Sequence, residues 1–328
     1  MTKSPNSDHS TQTITADDTA RPSTSPLLVL ALSVLGLSFA APLVRLSTAP
    51  ALVIATWRLA FSLIIVGVAL LATGGWRKWR AVATGDLLLS CVGGILLALH
   101  FWSWNASLSY TSVAASVSLV NLQPAFVAFI SWQLLREVPR PRQSVGILIA
   151  MIGAFVVGFA DVPGGFAGIG SALTAGAANS AGSASGRALY GDFLALIGAA
   201  TAAAYYLIGR RVRQKLDLWP YVGLVYGAAF VTLLALVWLT KSPLFPQPTR
   251  EFAIFGALAV GPMLLGHTGM NWALGHLPAY VVNLTVLGEP IGATLLAAII
   301  PGIGEVPAPG VLIGGAIVLL GVYLTARK

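Results

Sequence analysis

The chain has 328 residues, of which 56% are hydrophobic and only 9% are charged, and its formal net charge is +8. Charged residues make up roughly a quarter of a typical soluble domain, so this composition excludes a water-coated globular surface and favours a membrane protein. The basic residues lie in short clusters between apolar runs, which argues against binding to nucleic acid. Cys91 is the single cysteine, and no HExxH, GxSxG or GxxxxGK[ST] motif occurs, so we expect neither a cofactor nor a metal.

In chain order, residues 1–25 come first; they are rich in Ser and Thr and predict a disordered cytoplasmic tail. Because about 20 apolar residues cross a bilayer as a helix, ten later segments are predicted to span it. They lie at about 26–46, 51–73, 87–108, 112–135, 144–160, 192–209, 219–240, 252–273, 279–300 and 309–326. Short connections make neighbouring helices antiparallel. The exception is 161–190, whose Gly, Ala and Ser content predicts a flexible linker.

The orientation follows from the basic residues, because Lys and Arg are retained on the cytoplasmic side. With the N-terminus inside, most of them fall on cytoplasmic segments, including clusters at 77–80, 136–142 and 210–215. We therefore predict a multi-pass protein of the plasma membrane with both termini in the cytoplasm and the 161–190 linker outside.

The two halves of the chain repeat each other. The aligned pairs are Asn105 with Asn271, Gln123 with Glu289, Pro124 with Pro290, Gly146 with Gly314 and Gly153 with Gly321. Since each half has an odd number of helices, five, the second half would enter the membrane from the opposite side. The prediction is an all-α protein of two inverted five-helix repeats, at 26–160 and 191–328, an architecture typical of secondary transporters.

Three sets of motifs stand out along the two halves. They are Trp57-Arg58-Leu59-Ala60, then Asn121-Leu122-Gln123-Pro124-Ala125-Phe126 with Arg136-Glu137-Val138-Pro139, then Leu287-Gly288-Glu289-Pro290 with Gly304-Glu305-Val306-Pro307 and Gly314-Gly315. These resemble the second-, fourth-, ninth- and tenth-helix signatures of EamA-type members of the drug/metabolite transporter superfamily. The resemblance covers the chain after residue 25 and implies export or exchange of small metabolites, often amino acids or amphiphilic drugs, through a central cavity. Two features depart from the family pattern: the long linker, and Gln123 where the other half has Glu289.

Ionisable groups at membrane depth are costly, so each one is a candidate site residue. Glu289 falls near the predicted midplane, where it could attract an amine or take up a proton, and Gln123 is its counterpart. Pro124 and Pro290 are predicted to break the facing helices and to act in gating. The alternative is that both prolines only kink helices for packing and that Glu289 forms an internal ion pair.

Arg58 could contact a substrate carboxylate, pair with Glu289, or extend to the membrane interface. Six further polar or aromatic residues are predicted to contact substrate or, alternatively, to serve packing and internal hydrogen bonds. They are His100, Trp104, Asn105, Tyr205, His267 and Asn271.

These patterns predict a secondary transporter, an exporter or exchanger of small organic metabolites such as amino acids, with alternating access around a midplane cavity. Proton coupling is compatible with this site. Efflux of cationic or multiple drugs is the alternative, and an integral-membrane enzyme acting on lipid-linked substrates is less favoured. The expected partners are a small-molecule substrate and the lipid bilayer. Gly310 and Gly314 have GxxxG spacing, which favours helix packing within a monomer over a weak homodimer.

Overall fold

The computed structural model describes residues 24–127, 130, 140–161 and 184–326, and every regular element within these ranges is a helix. Within these described ranges, seven helices are long and apolar enough to cross a membrane. Shorter apolar helices lie at Ala115–Val127, Ser144–Gly153 and Pro309–Gly321. The predicted multi-pass helical fold is therefore confirmed, whereas the number of ten spans stays a prediction. Most of the predicted tail and linker, and the motif Arg136-Glu137-Val138-Pro139, lie outside the described residues.

We number the helical segments in chain order. They are α1 (Pro26–Leu46), α2 (Ala51–Thr73), α3 (Thr84–Ser107), α4 (Val113–Val120), α5 (Pro141–Asp161), α6 (Ala184–Val212), α7 (Leu218–Thr240), α8 (Thr249–Leu274), α9 (Ala279–Val286 and Glu289–Ile299) and α10 (Pro309–Ala326). Local sequence explains several ends. The Ser112 hydroxyl accepts from the Ala115 N–H and caps α4, and α2 ends at Gly74, whose φ of 64° suits a residue without Cβ.

The packing of helices is preserved when every helix is replaced by its counterpart in the other half. Helix α3 packs on α6 and α7, while its counterpart α8 packs on α1 and α2. The pairs α2–α7 and α5–α10 map onto themselves when each helix is replaced by its counterpart in the other half. Such an exchange is expected of two copies of one five-helix unit packed about a pseudo-two-fold axis.

The contact between α5 and α10 shows the repeat at atomic detail. A Cβ added to Gly153 would lie 2.5 Å from the Val318 nitrogen, and one added to Gly321 would lie 2.5 Å from the Gly146 oxygen. Gly153 and Gly321 are one of the aligned pairs of the sequence. Small residues here let two helix backbones touch, so these glycines pack the fold internally.

The connections between helices alternate between two ends of the bundle. At one end, polar contacts join Arg45 to Glu305, and Glu251 to Ser47 and Thr48. At the other end they join Lys215 to Asp86, Lys78 to Asp217, and Arg210 to the Leu274 carbonyl. The predicted antiparallel hairpins account for this sorting. Which end faces the cytoplasm stays a prediction.

A cleft of about 410 Å³ separates the second part of α9 from α10. Its wall is almost entirely apolar and includes Pro290, Leu295, Leu312 and Leu319. Leu295 is 60% exposed and Leu312 is 58% exposed, as expected of side chains that face hydrocarbon. The Glu289–Ile299 segment therefore has little support on this side.

Candidate functional site

Two helices are interrupted at matching positions. Helix α4 ends at Val120, and after the turn at Asn121-Leu122 a helical stretch resumes at 123–127. In α9, the first part ends at Val286 and the second begins at Glu289 after the turn at Leu287-Gly288. In both, a proline occupies the second position of the resumed helix. The structure thus places a break directly before Pro124 and Pro290.

Proline explains why polar backbone atoms are available at these breaks. It has no N–H, so the carbonyls four residues earlier, at Val120 and Val286, lose the donor that a continuous helix would supply. Both valines line the same internal cavity. Non-helical backbone at membrane depth is tolerated where it lines such a cavity.

The cavity lies between the two breaks and holds about 20 Å³, room for about one water molecule. Its walls come from α1, α3, α6, α8 and the broken helices. The lining residues are Leu37, Ala40, His100, Trp104, Val120, Gln123, Tyr206, His267, Val286 and Glu289. Five of the predicted substrate-binding residues therefore meet here, although they are far apart in sequence.

Glu289 is only 5% exposed and is contacted from the other half of the chain. Its Oε2 accepts a hydrogen bond of 3.4 Å from Asn121 Nδ2, which also donates to the Val117 carbonyl at 2.9 Å. As the first residue of a helix, Glu289 also places its carboxyl group at the positive end of a helix dipole. The amide oxygens of Asn121 and Gln123 are buried without a donor in the described structure.

Two histidines from equivalent helices meet beside this carboxylate. The rings of His100 and His267 lie 6.0 Å apart between centroids. His100 Nδ1 donates to the Gly198 carbonyl at 2.9 Å, and His267 Nδ1 lies 3.3 Å from the Tyr206 hydroxyl. Trp104 stacks parallel to His100 at 6.2 Å. Each imidazole thus has a structural hydrogen bond and also forms part of the cavity wall.

Arg58 is fully buried, so it does not extend to the membrane interface. Its guanidinium lies 4.1 Å above the Phe101 ring, and none of its three nitrogens has a hydrogen-bond partner among the described residues. No ion pair joins it to Glu289, although both side chains are described and interact at longer range. Phe101 in turn packs against His267 at 5.1 Å, and His267 lines the cavity, so Arg58 lies behind the cavity wall.

Three predicted substrate ligands lie away from the cavity wall. Asn271 Nδ2 donates to the Tyr205 hydroxyl at 2.5 Å, and its main-chain oxygen accepts from Arg213. Asn105 Nδ2 donates to the Ala51 carbonyl at 3.4 Å. These bonds hold neighbouring helices together, and contact of the three residues with substrate stays a prediction.

Sequence reasoning did not assign Asn121 to the site, and it proposed Tyr205 and Tyr206 together as candidate cavity aromatics. Asn121 had a usable signal, since it is an amide directly before the Leu-Gln-Pro break and therefore lies near the same depth as Gln123. Tyr205 and Tyr206 are adjacent on α6, and only the packing of α8 shows that Tyr206 is the one at the cavity.

Apolar helices in two pseudo-equivalent halves, with broken helices around a buried polar cavity, define a multi-pass membrane protein of the transporter class. The model of the EamA-like transporter family matches residues 24–159 and 189–327. The chain therefore belongs to the EamA-like transporter family, and the predicted resemblance is confirmed. The two matched stretches are its two repeats.

Solved structures share this fold. One, described only as "Crystal structure of protein", superposes with a TM-score of 0.63 at 18% sequence identity, covering 92% of this chain and 96% of that chain. At this identity the likeness concerns the fold alone. No curated protein matches the chain.

Proposed function

We propose that this protein is a secondary transporter, an exporter or exchanger, that moves small organic metabolites such as amino acids across the plasma membrane. The observation that carries the proposal is a buried carboxylate, Glu289, in the wall of one central cavity and a buried guanidinium, Arg58, behind this wall, with no hydrogen-bond partner for Arg58 among the described residues. Ionised groups at membrane depth are retained where they contact substrate, ions or one another. Here they are not joined to one another.

A zwitterion matches these two charges. Its ammonium group would contact Glu289 and its carboxylate would contact Arg58 once Phe101 moves aside. The cavity of about 20 Å³ is too small for such a cargo, so binding requires the helices around it to move apart. Transport then requires that each end of the bundle opens in turn, which is alternating access. The inverted arrangement of two five-helix repeats, with ten spans and both termini in the cytoplasm, belongs to this proposal.

Efflux of cationic amphiphilic compounds is the second candidate. It is favoured by the aromatic wall of Trp104 and Tyr206 beside Glu289, because aromatic faces attract organic cations. A cation without a carboxylate has no use for Arg58. Transport of amino acids should therefore be lost in Arg58→Met, whereas transport of cationic amphiphiles should persist.

The proposal is tested by counterflow in proteoliposomes loaded with amino acids, nucleosides or cationic drugs in turn. Glu289→Gln keeps the shape of the side chain and removes its charge. A charge-assisted hydrogen bond is worth about 1.5–3 kcal/mol, so transport should fall by about tenfold or more, or should lose its pH dependence. The Asp217→Asn variant removes a carboxylate from the exposed pair with Lys78 and should transport like the wild type.

Thermal stability should distinguish a functional carboxylate from a structural one. The aligned Gln123 shows that the fold accepts an amide at this level in the other half. Glu289→Gln should therefore insert and melt like the wild type. Transport equal to wild type at every pH from about 5 to 9, across the carboxyl and histidine ranges, would refute the role of Glu289.

A further inference from the structure

We infer that Gln123 and Glu289 bind a protonated amine of the cargo, and that Asn121, behind the cavity wall, is a positioning residue for the Glu289 carboxylate. This inference rests on the proposed transport function and specifies the chemistry of its site. It adds a residue from the first half of the chain to a binding group of the second half.

The first support is a surplus of hydrogen-bond acceptors. Asn121 Nδ2 is identified by its two acceptors, the Val117 carbonyl and Glu289 Oε2, which leaves Oδ1 without a donor. Gln123 Oε1 is also buried without a donor in the described part of the chain. Buried acceptors are normally satisfied, so a ligand or water must supply the donors. An ammonium group carries three donors, whereas a hydroxyl carries one.

The second support is the remainder of the cavity wall, which suits an organic ammonium better than a metal ion. Trp104, Tyr206 and two imidazoles line it together with a single carboxylate. Sodium and other hard cations take oxygen ligands on all sides. Aromatic faces attract substituted ammonium groups, whose carbon atoms also pack against the rings.

The third support is the place of Asn121 between the two repeats. It lies in the break of α4 and contacts the residue that begins the second part of α9. Its amide is fixed to its own helix at 2.9 Å, while its contact with Glu289 is the longer one at 3.4 Å. Asn121 thus holds one carboxylate oxygen and leaves the other for the ligand.

The experiment uses the purified full chain in lipid nanodiscs and measures thermal stability during titration with phenethylammonium chloride. The isosteric neutral probe is 2-phenylethanol, and sodium chloride at equal ionic strength is the salt control. We expect the ammonium probe to raise the melting temperature in a saturable manner. The alcohol and sodium chloride should leave it unchanged.

Asn121→Ala should weaken binding of the ammonium probe about tenfold, since it removes the amide groups that hold the Glu289 carboxylate in place. Asn121→Leu removes the same groups at nearly constant volume and serves if the alanine variant unfolds. The matched control is Asn283→Ala. Asn283 is also fully buried, donates to a carbonyl one turn earlier at 2.9 Å and has an oxygen without a donor, and it has no hydrogen bond to Glu289. The Asn283→Ala variant should bind the ammonium probe like the wild type.

Three results would overturn the inference: equal stabilisation by the ammonium probe and the alcohol, stabilisation by sodium chloride alone, or equal loss of binding in the Asn283 and Asn121 variants. Sodium-dependent stabilisation would indicate a metal site instead. Transport of amine-free solutes with no binding of the ammonium probe would refute this site and leave the proposed function intact. Binding of the probe without transport of any solute would support this site and refute the proposed transport function.

Discussion

Replacement of Gly321 by alanine should destabilise the protein through the contact between α5 and α10. The added Cβ would lie 2.5 Å from the Gly146 oxygen, whereas an ordinary Cβ contact is 3.4–4 Å. The opposing atoms are backbone and cannot rotate away, so the two helices must separate by about 1 Å.

The magnitude follows from two opposing terms. Overpacking a close contact costs about 1–3 kcal/mol, and the rigid backbone favours the upper end of this range. Alanine in place of glycine in a helix returns up to about 1 kcal/mol. The net loss should therefore be about 2 kcal/mol, seen as a lower melting temperature of the detergent-solubilised protein.

The neighbouring Gly315 is a matched control, because a Cβ added there meets nothing within 4 Å. Gly315→Ala should melt at or above the wild-type temperature. Gly153→Ala should reproduce the loss of Gly321→Ala, because the two glycines occupy equivalent places in the repeat. If Gly321→Ala melts at the same temperature as Gly315→Ala, the α5–α10 packing described above is wrong.

Three further outcomes are expected. In intact cells, a cysteine at the exposed Lys241, with Cys91 replaced, should react with an impermeant thiol reagent; reaction only after lysis would reverse the predicted orientation. Arg45→Glu and Glu305→Arg should each impair transport by disrupting the ion pair that joins α1 to the α9–α10 connection. The double charge swap should restore transport. If it does not, this ion pair is not what transport depends on at this end of the bundle. Pro290→Ala should insert normally but transport slowly, since it restores a backbone donor at the break.

The features of the fold that depend on local sequence could be predicted from it. Apolar length predicted the spanning helices, and the repeat aligned Gly153 with Gly321, which occupy equivalent places in the contact between α5 and α10. Even so, no periodicity identified α10 as the partner of α5. Helix pairing depends on which grooves face each other, and an apolar helix in a membrane has no single buried face to mark its neighbour.

The candidate site was predictable where the free-energy cost of placing a polar group in the membrane singles out a residue. Glu289 and Gln123 followed from the rarity of polar groups beside a proline at membrane depth. The meeting of His100 with His267 required the packing of α3 near α8, which the sequence does not encode locally. The depth of Arg58 in the membrane was evident from the sequence, whereas its position over the Phe101 ring was not.

The open space beside the Glu289–Ile299 segment bears on how the protein changes shape. A segment of 11 residues that is separated from the rest of α9 by a turn can tilt as a short rod. Tilting into a cleft of about 410 Å³ compresses no well-packed protein contact on that side. Because Glu289 is the first residue of this rod, a small rotation about its end would carry the distant residues near Ile299 through several ångströms while the carboxylate stays almost in place. In the proposed transport cycle, the membrane would then be the compliant medium against which this end of the protein opens.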